Sequence, residues 1–180
     1  KLGVTGTNGL PQLPPSNNCK VMMAGARKLG YREVSTGPMA INSTAHDGRP
    51  SCLQTGFCTS GCVIGAKWST LYTEIIKAEK TGHFELRPHS MVVRITHGRD
   101  ARVTGVEYLD KDGVLITQKA KVVCVAANAI ETTRLLLNSR SETFPSGICN
   151  RYDQVGRHYM RQFTNMVMSI MTGNVNFHRG

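Results

Sequence analysis

The chain has 180 residues, 40% of them hydrophobic and 19% charged, a balance that suits a globular protein and excludes a disordered one. Lys and Arg number 22 against 12 Asp and Glu, for a formal net charge of +10. The basic residues are scattered with no dense tract or nucleic-acid signature, which reads as a solvated surface with no nucleic-acid partner, and no apolar run approaches the roughly 18 residues of a membrane-spanning helix.

Lys1 opens the chain with neither an initiator Met nor a signal-peptide pattern, and the sequence is expected to be a piece of a longer protein. Residues 1–16 read as loop. Asn17 or Asn18 is placed to cap a helix running to about Leu29, with Gly30 as its stop. Residues 31–66 are rich in Gly, Ser, Thr, Pro and Cys and lack sustained periodicity, so they are expected to be functional or to be held by something other than a core. From Lys67 to Thr81, Trp68, Leu71, Tyr72 and Ile75 form the apolar stripe of a helix that ends at Gly82.

A strand-rich region follows. HFELRPHSMVVRITH predicts one or two strands around Pro88, and RVTGVEYLD another. Asp112-Gly113 marks a hairpin turn into VLITQ. AKVVCVAA, continuously apolar, predicts a strand buried on both faces, with Cys124 as a small core residue. Asn128 is placed to cap the next helix, to about Ser139, with Glu131 as its capping-box partner. Strand, short turn and helix with a free N-terminus is the unit by which α/β nucleotide-binding domains approach a phosphate. Residues 140–160 read as loop with a short helix or turn. The apolar stretch from Met160 to Met171 suits either strand or helix.

Three of the six cysteines fall in one short loop, Cys52-LQTGF-Cys58-TSG-Cys62. Gly56, Gly61 and Gly65 give that loop the freedom to point three thiolates at one centre. Three thiolates suit an iron–sulfur cluster. A disulfide within the trio and a zinc site remain alternatives, although the usual C-x2-C and C-x4-C zinc spacings are absent. His46 is a candidate fourth ligand without a spacing rule to select it. Cys19 and Cys149 fit no pattern. None of the six histidines sits beside a nucleophile motif, and each reads as surface or structural.

Taken in order, VVRIT, VTGVEYLD-KDG and VCVAANAIETTRLLLNS resemble the glucose-methanol-choline (GMC) family of FAD-dependent oxidoreductases, and DQVGRHYMRQ is similar to that family's "VGRNLMDH" segment. The likeness covers roughly residues 49–162. Asn128 stands where the family has Gly, and Gln162 where it usually has His. The cysteine loop, RPSCLQTGFCTSGCVIGAKWST, is similar to that of the flavoprotein subunits of bacterial membrane-associated sugar dehydrogenases. In that subgroup three such cysteines hold a [3Fe-4S] cluster, which makes Cys52, Cys58 and Cys62 its expected ligands.

The resemblance implies an α/β fold, α+β in part: a fragment of a FAD/NAD(P)-binding, Rossmann-like GMC fold with part of the substrate domain. Residues 1–48 would be loop and helix at the boundary of the FAD and substrate domains, and 49–66 the cluster loop. Residues 67–139 would be FAD-binding-domain helix, strands and strand–helix unit, and 140–180 the start of a substrate-domain segment. Val92 would contact the FAD adenine, and Ala126, Ala127, Asn128 and Ala129 would lie near its ribose or phosphates. Ordinary strand core is the alternative for Val92.

The GxGxxG fingerprint would precede residue 1 and the catalytic His would follow residue 180, so no catalytic residue is expected here and the piece alone would be inactive. The whole enzyme would oxidise a sugar or polyol CH–OH group and pass electrons from FAD through the cluster to a cytochrome c subunit. It would have a small accessory subunit and would be periplasmic, held at the membrane by a partner. The alternatives are a GMC alcohol or choline-type oxidoreductase without a cluster, and a non-catalytic module with structural cysteines.

Overall fold

The computed structural model describes residues 10–37, 39–162 and 168–176. It divides into two units, one drawn from Lys1–Glu85 with Val167–Gly180 and the other from Leu86–Met166.

The first unit opens with α1, Asn17–Lys28. Met22, Met23, Ala24 and Ala26 are good helix formers, and Arg27 and Lys28 in the last turn complement the helix dipole. The cap lies one residue before the expected asparagines. Ser16 is extended, and its side-chain oxygen accepts from the Cys19 amide at 3.4 Å. A hydroxyl one bond from Cβ fits that position as well as an amide does. Gly30, at φ 86°, supplies the left-handed stop.

The expected helix from Lys67 to Thr81 is shorter and broken. A 3-10 turn, Thr70–Tyr72, is followed by α2, Glu74–Glu79, with Thr73 between them at φ −130° and ψ −86°. The Thr73 hydroxyl donates to the Ser69 carbonyl at 2.7 Å, a local bond that competes with helix continuation. Trp68 and Leu71 lie outside α2 and are exposed, so only part of the predicted stripe is covered.

The second unit is an antiparallel meander of β1 (Met91–His97), β2 (Val103–Leu109) and β3 (Leu115–Lys119) in the order β1-β2-β3, with α3 (Asn128–Asn138) packed on β1. Only one strand forms from HFELRPHSMVVRITH. Pro88 cannot donate to a ladder, and His89 takes φ 55°, so pairing begins at Met91. A register shift between Val92 and Arg94 interrupts the β1–β2 ladder. The β2–β3 turn falls where Asp112-Gly113 predicts it. The Asp110 carboxylate accepts from the amides of Asp112 and Val114, each at 2.9 Å, and Gly113 takes φ 77°.

Ile95, Leu135 and Ile148 form the buried core of this unit, with Val92, Val106, Val125, Leu136 and Phe144 against them. Ser139, 1% exposed, ties α3 to β1. Its hydroxyl donates to the Leu135 carbonyl at 2.7 Å and accepts from the Ile95 amide at 2.9 Å. Ser139→Ala leaves that buried amide unpaired and is expected to cost about 1–3 kcal/mol. Denaturant unfolding of the full-length protein reads the loss, and a midpoint equal to wild type would refute this role.

AKVVCVAA is not a strand. Residues 122–126 pair with nothing among the described residues, Val122 is 77% exposed and Cys124 is exposed, so Cys124 is not a core residue here. Apolar composition becomes a strand only when ladder partners satisfy its backbone. Residues 140–160 form turns without a helix. Of the stretch from Met160 to Met171, residues 163–167 lie outside the described residues and the rest carries neither helix nor strand. No described helix is long and apolar enough to cross a membrane.

Candidate functional site

The cysteine loop is built on a polar frame. Ile41 and Lys67 form an antiparallel bridge. The Asn42 amide donates to the Ala66 carbonyl at 3.0 Å, and the Trp68 amide to the Ala40 carbonyl at 2.7 Å. Asn42 is buried, and its side chain donates to the His46 carbonyl at 3.0 Å. The Arg49 guanidinium donates to the carbonyls of Gly65 and Ala66 and to the Asn42 side-chain oxygen, each at 3.2 Å. The Cys52 amide then donates to the Asn42 carbonyl at 2.8 Å, fixing where the loop departs. The expectation that residues 31–66 rely on something other than an apolar core agrees with this frame.

Within the loop, the left-handed backbone at Gly61 (φ 113°) and Gly65 (φ 71°) turns the chain on either side of Cys62. The Cys62 sulfur accepts from the Lys67 amide at 3.4 Å, and the Cys52 sulfur from the Gln54 amide at 3.3 Å. Backbone amides, that of Lys67 foremost and then those of Ala66, Gly65 and Ile64, hold the Cys62 thiol below its ordinary pKa against the opposing effect of burial. The Lys67 ammonium donates to the Cys58 carbonyl at 2.5 Å.

Cys52, Cys58 and Cys62 are half-buried free thiols, with no disulfide within the trio. The structure carries them on one bent loop but does not converge them. Among the described residues, no three His, Cys, Asp or Glu side chains are grouped to hold a metal ion. His46 is exposed and sits in a tight turn, its amide and carbonyl both paired with those of Arg49 at 3.0 Å. In donor chemistry the loop suits a thiolate-held cluster: it offers three sulfurs, two of them accepting backbone amides, with bends at glycine.

The residues expected at FAD lie in the second unit. The Val92 side chain packs on the Ile95–Leu135–Ile148 core, which is the strand-core reading of that position. Ala126, Ala127, Asn128 and Ala129 are exposed at the start of α3. Asn128 adopts φ 66°, a region that asparagine tolerates best after glycine, which accounts physically for Asn where the resembled family has Gly. Its side-chain oxygen accepts from the amides of Ile130 at 2.9 Å and Glu131 at 3.0 Å, so the expected cap forms.

The capping box is only half made, because the Glu131 carboxylate turns to Arg134 at 2.7 Å. The helix-start amides of Asn128 and Ala129 remain as donors, flanked by side chains no larger than methyl at residues 126, 127 and 129, and such a turn fits close approach by an anionic cofactor. Asn128→Ala removes both cap bonds and strains a left-handed residue, for an expected loss of about 1–2 kcal/mol, whereas Asn128→Gly is expected to cost a few tenths. Thermal unfolding of the two full-length variants checks the order, and equal losses would sink the explanation.

Asn42, Arg49, Lys67 and Ser139 escape a reading based on apolar spacing, because they act through backbone carbonyls and amides. A cationic Arg49 beside a Pro in a coreless polar segment is the one sequence signal that points to the frame. His97 is structural, as expected of an unpatterned histidine. Its ring meets Phe144 edge-on at 4.8 Å, and its Nε2 lies 2.7 Å from the Ser141 hydroxyl.

The family model for GMC oxidoreductases matches residues 1–158. The chain is 38% identical over 133 residues to the fructose dehydrogenase large subunit of Gluconobacter japonicus, covering 74% of this chain and 24% of that protein. It is 35% identical over 149 residues to 6'''-hydroxyparomomycin C oxidase of Streptomyces lividus, covering 82% and 27%. It is 32% identical over 163 residues to paromamine 6'-oxidase of Streptomyces fradiae, covering 89% and 30%. The chain thus spans between 24% and 30% of the length of these relatives.

Proposed function

This chain belongs to the GMC oxidoreductase family, and on that premise we propose that it is an internal segment of an FAD-dependent dehydrogenase acting on a sugar-type or polyol CH–OH group. The observation that carries the reading is the match over residues 1–158 together with relatives named for the oxidation of fructose, a hydroxyparomomycin and paromamine. The mixed helix and antiparallel-sheet architecture would be one part of a Rossmann-like FAD domain whose remaining strands lie elsewhere in the protein. Those strands would include the ladder partners of residues 122–126.

FAD, when bound, supplies a two-electron acceptor for the hydride that leaves the substrate carbon. The residues of this chain that would hold its adenosine end are Val92, through its backbone, and the turn Ala126–Ala129. There the amides of Asn128 and Ala129 would donate, and the alanine side chains would leave room for backbone contact. Asn128 keeps those amides in place by capping the two that follow.

Cys52, Cys58 and Cys62 would hold a [3Fe-4S] cluster, which when bound supplies a one-electron relay between flavin and a cytochrome c subunit. The backbone amides at Cys62 favour the thiolate form of that residue, the form such ligation needs. A relative named as a large subunit supports a multi-subunit enzyme, for which we propose a cytochrome c subunit, a small accessory subunit and a periplasmic, membrane-associated location.

The separation of the three thiols among the described residues, and two relatives named oxidases, favour a second reading. In it the same oxidation is carried out without a cluster. Electron paramagnetic resonance of the full-length protein, purified without oxygen, separates the two. About three irons per chain and a signal in the oxidised state that vanishes with dithionite are expected for the cluster. Absence of iron and of signal would leave the flavin chemistry with structural cysteines.

A further inference from the structure

We propose that the cavity beside Trp68 is a binding site for a neutral saccharide, in which the indole carries a sugar ring and Asp47, Glu74 and Lys77 bond its hydroxyls. The site is separate from the oxidation reaction: neither the three cysteines of the loop nor the residues expected at FAD line it.

The cavity belongs to the first unit and has a volume of about 910 Å3, within the range of about 300–1,000 Å3 that small-molecule sites take. Local structure places its polar side chains. Glu74 and Lys77 stand three apart on α2 and so share one side of that helix. Asp47 comes from the tight turn His46–Arg49, at φ 53°, and its carboxylate meets the Lys77 ammonium at 2.5 Å. Trp68 is 47% exposed, although its amide is fixed to the Ala40 carbonyl. Its indole N–H donates to Glu74 Oε1 at 3.2 Å. That bond takes the polar edge of the ring, so what the exposed indole still offers is apolar ring surface.

The charges narrow the ligand. Those of the described lining are Asp47, Glu74, Arg49 and Lys77, which sum to zero and favour neither an anion nor a cation. Both carboxylates are held below their ordinary range, Asp47 first by Lys77, and Glu74 first by the Thr73 hydroxyl and then by its own amide. An apolar ligand would strip water from these ionised groups and return no hydrogen bond. A neutral polyhydroxyl ligand brings O–H donors to the carboxylates and oxygen acceptors to an ammonium that has three N–H groups. The slightly positive C–H face of a sugar ring suits the negative face of an indole.

Calorimetric titration of the full-length protein with maltotriose, run without oxygen, tests the site. Wild type is expected to bind, Trp68→Ala to bind at least about ten-fold more weakly, and Trp68→Phe, which keeps a flat ring, to fall between them. Asp47→Asn keeps the shape and tolerates the left-handed backbone, and it is expected to weaken binding about three- to ten-fold with flavin content and unfolding midpoint unchanged. If Trp68→Ala does not fold, Trp68→Phe and Asp47→Asn decide the matter.

Wild-type protein that binds no maltotriose would overturn the proposal, as would wild-type affinity in Trp68→Phe and Asp47→Asn together. Tighter binding of the cationic sugar glucosamine than of maltotriose would overturn the neutral class. A flavin that no sugar bleaches would refute the oxidation reading and leave this site standing.

Discussion

On the cluster reading, Cys58→Ser is expected to strip iron from the full-length protein and to stop electron delivery to one-electron acceptors, while substrate still bleaches the flavin. A serine hydroxyl stays protonated where a thiolate would bind, so one of the three proposed ligands would be lost from the middle of the loop. Disturbing a partner of a metal ligand already costs about 10–100-fold in affinity or activity, and removing a ligand outright is expected to cost at least that much. Anaerobic mixing with substrate, followed by addition of a one-electron dye, reads the two half-reactions separately. Cys149→Ser, at an exposed thiol outside the loop, is the control and is expected to behave as wild type. Full iron and full dye reduction in Cys58→Ser would remove Cys58 from the electron path.

Gly147→Ala is expected to damage the second unit severely. Gly147 takes φ 95°, and a Cβ there would stand 2.6 Å from the Leu136 carbonyl oxygen and 2.8 Å from the Leu137 Cα. Both are backbone atoms of α3, and neither is the yielding end of a side chain. The next residue, Ile148, donates its amide to that same Leu136 carbonyl at 3.0 Å and buries its side chain in the core. Relief of the clash therefore pulls a core residue from its place. Left-handed strain and overpacking together are expected to cost about 2–5 kcal/mol. Gly113→Ala shares the strain, at φ 77°, but meets nothing within 4 Å, and its expected loss is about 1–2 kcal/mol. Chemical denaturation of both variants tests the difference, and equal losses would show that close approach at Gly147 is not what matters.

Local signals read well where one residue type decides the geometry. Asp112-Gly113 places the β2–β3 turn because Gly113 must be left-handed, and Asn128 caps α3 while taking a conformation that few other residues tolerate. Gly30 ends α1 for the same reason. Misreadings fall where distant partners decide. The run at 122–126 has the composition of a strand but no ladder among the described residues. The helix expected from Lys67 has the right apolar spacing, yet the Thr73 hydroxyl bonds Ser69 and breaks it. At the candidate site, the grouping of Cys52, Cys58 and Cys62 on one loop is plain from their spacing. The Asn42–Arg49 frame that carries this loop is invisible to such a reading, since its bonds run to main-chain groups whose positions only the folded chain defines.

Between Ile41 and Lys67 the described structure buries a single apolar residue, Ala66. Exposure of greasy surface is what makes an opening reaction sensitive to urea and gives it a heat capacity. This segment has little of either to reveal, so it is expected to open as a unit of its own, at nearly the same rate in water and in mild denaturant. In native-state hydrogen exchange the amides of Asn42, Cys52 and Trp68 would then form a group with a flat urea dependence. The Ile95 amide, pinned to Ser139 in the other unit, would follow the steep dependence of global unfolding. On the cluster reading, loading and release of a group at these thiols would thereby be uncoupled from the melting of the molecule.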